Sequence, residues 1–276
     1  MPAPNAQVFG QTATANFVSR GIRLPQTWET PGDQYPDAFD ASQIAVAPNS
    51  PANLFREETL NEYHVDTART IGDGYQEYIE GITGAICDAI ERWMQMTMIA
   101  GVIINGPVGM VVPGNVIGPP LMPFILSGAP QNTAMETRYS TAIASAMSQQ
   151  WQMWQLGIMG TLMYPSFAAV PSPVAPPTPN VPLPLIALPS VGEAALSAQA
   201  LSGAMTGFLA DPEANHAVDL LEAISQAFNT IFQTFKASTL VQNVMGTGPV
   251  PSFAPPVAPV GPVVAGTVIP TPSVFV

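Results

Sequence analysis

Charged side chains are scarce in this sequence of 276 residues, where Asp, Glu, Lys and Arg together make up 9%, against roughly 25% in a typical soluble domain. Only seven residues are basic, and the formal net charge is −12. Because so few cations cannot form a dense positive surface, neither nucleic acid nor an anionic lipid surface is expected as a partner. Apolar residues still make up 47%, enough for a substantial hydrophobic core.

Cysteine is almost absent. The one cysteine, Cys87, excludes an internal disulfide and is typical of a chain that folds in a reducing cytoplasm. Its surroundings are apolar, with Arg92 the nearest basic residue, so we expect an inert packing role. The opening residues lack the basic and apolar regions of a Sec-type signal. We therefore expect cytoplasmic synthesis, and a place in an exported or extracellular particle would require another route.

Long uninterrupted apolar helices are lacking as well. Residues 93–135 and 139–192 carry no charge. Asn105-Gly106-Pro107 interrupts the first run twelve residues after it begins at Trp93, and in the second run only fourteen helix-compatible residues, counted from Trp151, precede Pro165. A membrane-spanning helix needs about 20 such residues. Membrane insertion is therefore the less favoured hypothesis.

Patterns typical of catalysis or metal binding are also missing. Residues 211–222 space their acidic side chains like a calcium loop, but His216 stands where the loop requires Gly, and Pro212 favours a helix start. His64 has acidic neighbours and is interpreted as part of a solvated helix face. We predict no enzyme activity, no cofactor and no metal, while a dispersed carboxylate pair such as Glu57 and Asp66 stays open as an alternative.

Proline and glycine, by contrast, are abundant, with 31 and 22 residues. They concentrate in three stretches that we call the arms, at residues 104–120, 164–177 and 246–276. The second and third arms share Pro-Ser-Phe-Ala, and the first and third share Gly-Pro-Val. Each arm follows a segment with helical periodicity, which predicts a repeated unit of roughly 60–80 residues.

Apolar residues at steps of three and four predict three long amphipathic helices. The helical faces run from Ile71 to Thr97, from Tyr139 to Leu162 and from Leu221 to Phe235. Thr133 and Glu136 form a predicted capping box before the second helix. Asp211 is the predicted N-cap of the third, and Ser190 with Glu193 is the predicted capping box of a connecting helix.

The arms themselves carry Pro every few residues, which excludes helices and central strands and favours polyproline II or short edge strands. The alternating sequences GMVV, NVIG and GPVVAGTVI are the best strand candidates. The predicted fold is mainly α with extended Pro-rich arms, built from three repeated units of a long amphipathic helix followed by an arm. The predicted segments are an acidic, partly extended region at 1–66, unit 1 at 67–132, unit 2 at 133–189, a connecting helix at 190–210 and unit 3 at 211–276.

These features predict a non-enzymatic structural subunit that forms homo-oligomers and contacts other protein subunits in a large particle, of the phage-tail, contractile-injection or filament kind. Apolar arms left in water would bind nonspecifically, so a second chain is expected to cover them. The predicted interface residues are Trp93, Trp151, Trp154, Phe228, Phe232, Phe235, Phe253, Val257, Val263 and Val264. The alternative hypothesis is a membrane-active or secreted effector-like protein that inserts apolar helices after it oligomerises.

Overall fold

The protein is a mixed α/β structure, as shown by a computed structural model. The described residues are 3–21, 62–165, 173–211, 214, 216–251 and 262–276, with side chains from residue 70 onward in the second range. Over these residues the chain forms six α-helices and a six-stranded antiparallel sheet. The prediction of a mainly α protein made of repeated units is therefore wrong, because the arms pair with one another into one sheet.

The elements follow one another along the chain with short connections. The helices are α1 (Ala6–Val18), α2 (Glu62–Met96), α3 (Met122–Gly128), α4 (Ala134–Leu156), α5 (Ala198–Leu209) and α6 (Ala217–Ser238). The strands are β1 (Met98–Ile99), β2 (Ile103–Asn105), β3 (Val108–Val111), β4 (Val116–Ile117), β5 (Gly160–Met163), β6 (Val174–Pro179), β7 (Leu183–Pro184), β8 (Leu240–Val241), β9 (Met245–Pro249) and β10 (Gly266–Ile269). The two short pairs, β1–β4 and β7–β8, form separate two-stranded sheets.

The three long helices predicted from periodicity are α2, α4 and α6. The predicted end of the second helical face at Leu162 is wrong, because α4 ends at Leu156 and Leu162 lies in β5. The predicted capping box at the start of α4 is confirmed: the Glu136 backbone N–H donates to Thr133 Oγ1, and the Glu136 carboxylate accepts from the Thr133 N–H. The predicted start of α6 at Asp211 is wrong. This helix begins at Ala217 after His216, whose φ of 61° is left-handed and breaks the run from Asp211.

The connecting helix also starts later than predicted. Ser190 does not cap it; its hydroxyl donates to the Trp154 carbonyl in α4 at 2.6 Å. Glu193 lies in a short 3₁₀ turn, and α5 begins after Ser197, whose side chain accepts the Ala200 N–H at 3.3 Å. Each Ser is followed three residues later by a helix-compatible residue, so local sequence does not distinguish the two starts.

Helix α1 is not predicted from the sequence, because Gln, Gly, Thr and Asn residues interrupt its apolar side chains and obscure the helical spacing. Its buried face consists of Phe9, Ala13 and Phe17, spaced by four. The Phe17 ring lies 5.0 Å from Tyr75 of α2, and the Phe9 ring lies 5.9 Å from Phe228 of α6. The N-terminal helix thus joins α2 to α6 in the core.

The six-stranded sheet has the order β5-β3-β2-β10-β9-β6, with every neighbouring pair antiparallel. The first arm supplies β2 and β3, the second supplies β6, and the third supplies β10 and nearly all of β9. The central positions of β2 and β10 contradict the expectation that no arm holds a central strand. Prolines of these arms flank the two central strands, whereas β6, which contains Pro176, Pro177 and Pro179, lies at an edge.

Glycine shapes the inner face of this sheet. A Cβ added to Gly246 would lie 2.6 Å from Tyr164 Cε1, and one added to Gly248 would lie 2.6 Å from Val263 Cγ1. Both distances are shorter than van der Waals contact, so only glycine leaves room for these two buried side chains. The Gly-Thr-Gly sequence of β9 therefore places Gly inward at both positions, with Thr247 between them.

The sheet curls so that its two edges approach each other. The Val181 N–H, shortly after β6, donates to the Met163 carbonyl of β5 at 2.7 Å. One continuous hydrophobic core joins the sheet to the helices. The C-terminal Phe275 closes this core by stacking on Trp93, with ring centroids 5.1 Å apart.

Candidate functional site

The aromatic residues predicted to lie between chains are buried inside one chain. Trp93, Trp151, Trp154, Phe228, Phe232 and Phe235 are each at most 2% exposed. The Trp93 and Trp151 rings cross at 87° with centroids 5.0 Å apart. Trp93 Nε1–H donates to Gln155 Oε1 at 2.6 Å. These contacts place the rings in the core that joins α2, α4 and α6.

The other predicted interface positions lie in the third arm. Val263 is buried beneath the sheet, whereas Val264 is 46% exposed. Phe253 and Val257 lie outside the described residues. A contact of any of the ten predicted residues with a second chain stays a prediction.

The outer face of the sheet is the first candidate site, and we call it the uncharged sheet face. Strand register aligns its side chains, because Ile103 is the partner of both Met110 and Thr267, and Met110 is also the partner of Thr161. Side chains directly opposite each other in paired strands point to the same face. The exposed residues of the uncharged sheet face are Ile103, Asn105, Met110, Thr161, Met163, Thr267 and Ile269.

Four large apolar side chains make up most of this face. Ile103 and Met110 are 60% and 59% exposed, and Met163 and Ile269 are 46% and 40% exposed. At about 200 Å² for a fully exposed Ile or Met, the four present roughly 400 Å², comparable to the largest apolar patch of a typical monomer, which is often functional. The sequence contains this signal as apolar–polar alternation in the arms, but it does not show which alternating segments become neighbours.

Charge is distributed unevenly between the two parts of the fold. In the part of the chain that the structure describes, every charged side chain lies on a helix or in a turn beside one, and no strand carries any. Arg20, for example, pairs with Asp219 and Glu222 at 3.4 and 2.6 Å. Lys236 is buried and pairs with Glu193. The sheet therefore offers an electrostatically neutral surface, as do α1, α3 and α5, whose own residues carry no charge.

A cavity between α2, α4 and the start of α6 is the second candidate site, and we call it the tyrosine pocket. It has a volume of about 470 Å³, within the range of roughly 300–1,000 Å³ typical of small-molecule sites. Tyr75 and Tyr78 are three residues apart in α2, and Glu136 and Tyr139 are three apart in α4, so each pair lies on one helix face. The remaining lining is mostly apolar and includes Ile71, Met135, Ala214 and Leu220.

Burial raises the pKa of all three phenols in this pocket. For Tyr78 and Tyr139 the negative charges of Glu136 and Asp211, respectively, raise the pKa further. Because a phenol ordinarily ionises near pH 10, these side chains are neutral at neutral pH. Tyr78 is anchored by a hydrogen bond of 3.3 Å between its hydroxyl and that of Ser140. The pocket therefore presents neutral aromatic rings.

Glu136 lines this pocket and also caps α4 through its Oε2 atom. That oxygen accepts the backbone N–H groups of Asn132 and Thr133 at 2.6 and 3.1 Å. Over the described ranges, no hydrogen-bond donor contacts Oε1, and no Lys or Arg lies within ion-pair distance of the carboxylate. The sequence identified Glu136 as a cap but gave no indication that it lines a pocket.

The three described acidic residues of the sequence considered as a calcium loop form ion pairs with arginines. Asp211 pairs with Arg138 at 2.9 Å, whereas Asp219 and Glu222 pair with Arg20. Glu213 and Asn215 lie outside the described residues, as does the side chain of His64. Within the described part of the chain, no group of three or more His, Cys, Asp or Glu side chains could hold a metal ion.

Cys87 is buried, as its predicted packing role requires, with 4% exposure. Burial and the neighbouring Asp88 raise the pKa of its thiol to about 12. The nucleophilic thiolate is therefore scarce at neutral pH.

Membrane insertion is the less favoured hypothesis from the sequence. Among the described residues, no helix combines the length and apolarity needed to cross a bilayer.

No protein family model matches this chain, and no curated protein or solved structure matches it either.

Proposed function

We propose that this protein is a structural subunit rather than an enzyme, and that it self-associates through the uncharged sheet face as a component of a larger particle. The observation that carries the proposal is the row of exposed apolar side chains centred on Ile103 and Met110. The proposal keeps the assembly predicted from the sequence. It moves the contact from the aromatic helices, which are buried, to the sheet that the arms build.

The charge distribution favours a second copy of the same chain as the occupant of this face. Two copies carry −12 each, so an approach through their acidic helical surfaces is opposed by like-charge repulsion. An approach through the two sheet faces brings uncharged surfaces together and removes apolar side chains from water. The polar side chains of Asn105, Thr161 and Thr267 add hydrogen-bonding groups to this face, as in the mixed composition of most protein interfaces.

The decisive experiment measures the mass of the purified full chain in solution over a range of concentrations, by sedimentation velocity. We expect oligomers whose population grows with concentration, and electron micrographs of the same sample that contain regular assemblies. Met110→Lys places a charge at the centre of the face and should shift the protein to monomer, because burying an unpaired ammonium is costly.

Met153→Lys provides the matched control. Met153 is 48% exposed on α4, against 59% for Met110 in the sheet, so both variants add one charge at a similar solvent-exposed methionine. Met153→Lys should therefore oligomerise like the parent protein. A parent protein that stays monomeric at every concentration, or two variants that associate equally, would contradict the proposal.

A further inference from the structure

The tyrosine pocket contains an aromatic corner suited to a cation. The rings of Tyr78 and Tyr139 stand at 79° to each other with centroids 6.3 Å apart, and Tyr75 lines the same cavity. An ammonium group within about 6 Å of an aromatic centroid is attracted by the negative face of the ring. A single ammonium group in this corner can lie within that distance of both rings.

Among the side chains that the structure describes around the pocket, the charges sum to a negative value. The Glu136 carboxylate contributes a full negative charge, whereas the N-terminus of α4 contributes only about half a positive charge. Arg138, the nearest basic residue along α4, is paired with Asp211 at 2.9 Å, so these two charges cancel. The unbonded Oε1 atom of Glu136 therefore offers an acceptor and a net negative charge to an incoming group.

The rest of the lining selects for an apolar substituent. Ile71, Met135 and Leu220 line the cavity with aliphatic side chains, and a small ammonium ion alone would leave much of the volume of about 470 Å³ unfilled. An alkyl or aryl group attached to the cation would cover these side chains and strengthen binding with each methylene that it buries.

We propose that the tyrosine pocket binds an organic ammonium ion that carries an apolar substituent. The cation lies in the corner formed by Tyr78 and Tyr139, next to Glu136, and the substituent contacts the aliphatic lining. This inference does not depend on self-association, since the pocket lies between helices and the uncharged sheet face is formed by strands.

The first test compares three soluble probes by calorimetric titration of the full chain. Choline and 3,3-dimethyl-1-butanol have the same shape, but only choline is charged, and we expect choline to bind about tenfold more tightly. Hexyltrimethylammonium adds a longer alkyl chain and should bind at least about tenfold more tightly than choline. Equal binding of choline and the alcohol, or no binding of any probe, would overturn the proposal.

Three variants locate the binding to this pocket. Glu136→Gln removes the charge but keeps the capping geometry, since Gln serves equally at this helix position, and it should weaken hexyltrimethylammonium binding by about tenfold. Tyr139→Leu removes one wall of the corner and should reduce the preference for choline over the alcohol.

Thr133→Ala is the control, because it removes the other half of the capping box without removing a residue that lines the pocket. It should leave the affinity for hexyltrimethylammonium unchanged. Binding that persists undiminished in both Glu136→Gln and Tyr139→Leu would place the ammonium elsewhere and overturn the assignment. The same titration on Met110→Lys tests whether ammonium binding is independent of self-association. We expect this variant to bind hexyltrimethylammonium with the affinity of the parent protein.

Discussion

The helices and the sheet of this protein are stabilised by opposite kinds of residue. Between the helices the core is filled by large rings, with Trp93, Trp151 and Trp154 all at most 1% exposed. Under the sheet the space is created by glycines, and Gly246 and Gly248 admit the side chains of Tyr164 and Val263. A closely packed interior is thus reached in two ways. Large rings fill the space between the helices, whereas glycines under the sheet leave room for the side chains of their neighbours.

The two regions also differ in how they meet water. The charges of the described chain lie on or beside the helices, and α2, α4 and α6 carry most of them. The strands carry none, so their outward positions expose Ile, Met and Thr. Different substitutions should therefore damage the two regions, and the three predictions below test this difference in order of expected effect.

The largest effect is expected from removing volume between the helices. Trp154→Ala should lower the free energy of unfolding by about 3–5 kcal/mol, because it opens a cavity in a closely packed aromatic cluster. Urea denaturation followed by circular dichroism measures this loss. Met153→Ala, at the adjacent but 48% exposed position, should change it by less than about 0.5 kcal/mol. A loss below about 1 kcal/mol for Trp154→Ala would show that the ring is not packed as described.

An intermediate effect is expected from adding volume under the sheet. In Gly246→Ala the new methyl group would lie 2.6 Å from Tyr164 and 2.7 Å from Ile104, and the overpacking should cost about 1–3 kcal/mol. Gly203→Ala makes the same chemical change in α5, where nothing lies within 4 Å, and should stabilise the protein by about 0.4–1 kcal/mol. Effects of the same sign from both changes would remove the proposed contrast.

The smallest effect is expected at a helix end, where neither large rings nor glycines are involved. Thr133→Ala removes the hydroxyl that accepts the Glu136 N–H at 3.1 Å and should cost about 1 kcal/mol. Thr141→Ala, at an exposed interior position of the same helix, should stay within about 0.5 kcal/mol of the parent protein. Thermal unfolding of the two variants in parallel measures both effects. Equal melting temperatures for Thr133→Ala and Thr141→Ala would show that the capping box does not stabilise α4.

Local features of the fold could be predicted from the sequence. The periodic apolar residues between Ile71 and Phe235 identify α2, α4 and α6 because a helix face is determined by residues three and four positions apart. Thr133 and Glu136 identify the start of α4 for the same reason. The apolar alternation around Val108–Val111 and Gly266–Ile269 identifies two strands.

Pairing between distant strands could not be predicted in this way. Ile103 pairs with Met110 seven residues away, but also with Thr267, which lies at the far end of the chain. Apolar periodicity shows that one face of a segment avoids water, but it does not show which part of the protein packs against that face. The sequence therefore predicts that the arms lie on a second chain, whereas in the structure they pair with one another. The shared Pro-Ser-Phe-Ala sequences, on which the predicted repeat rests, fall outside the described residues except for Pro165 and Pro251.

The tyrosine pocket shows the same limit. Tyr75, Tyr78 and Tyr139 already belong to the predicted helix faces, but their convergence depends on how α2 and α4 pack. Glu136 is recognisable as a capping residue from spacing alone, whereas its second role requires the positions of neighbouring helices. The spacing of residues within one helix therefore identifies side chains that line the pocket, but it does not show that the two helices bring them together.

Both lateral borders of the six-stranded sheet resist extension by a further strand. Val181 already occupies the Met163 carbonyl at one border, and Pro176, Pro177 and Pro179 withhold backbone donors at the other. An incoming extended peptide would find few groups to pair with, so fibrillar cross-β growth is disfavoured even for a chain so rich in valine and so poor in charge. Growth of this sheet is therefore directed away from its borders and onto its broad surface, which remains accessible.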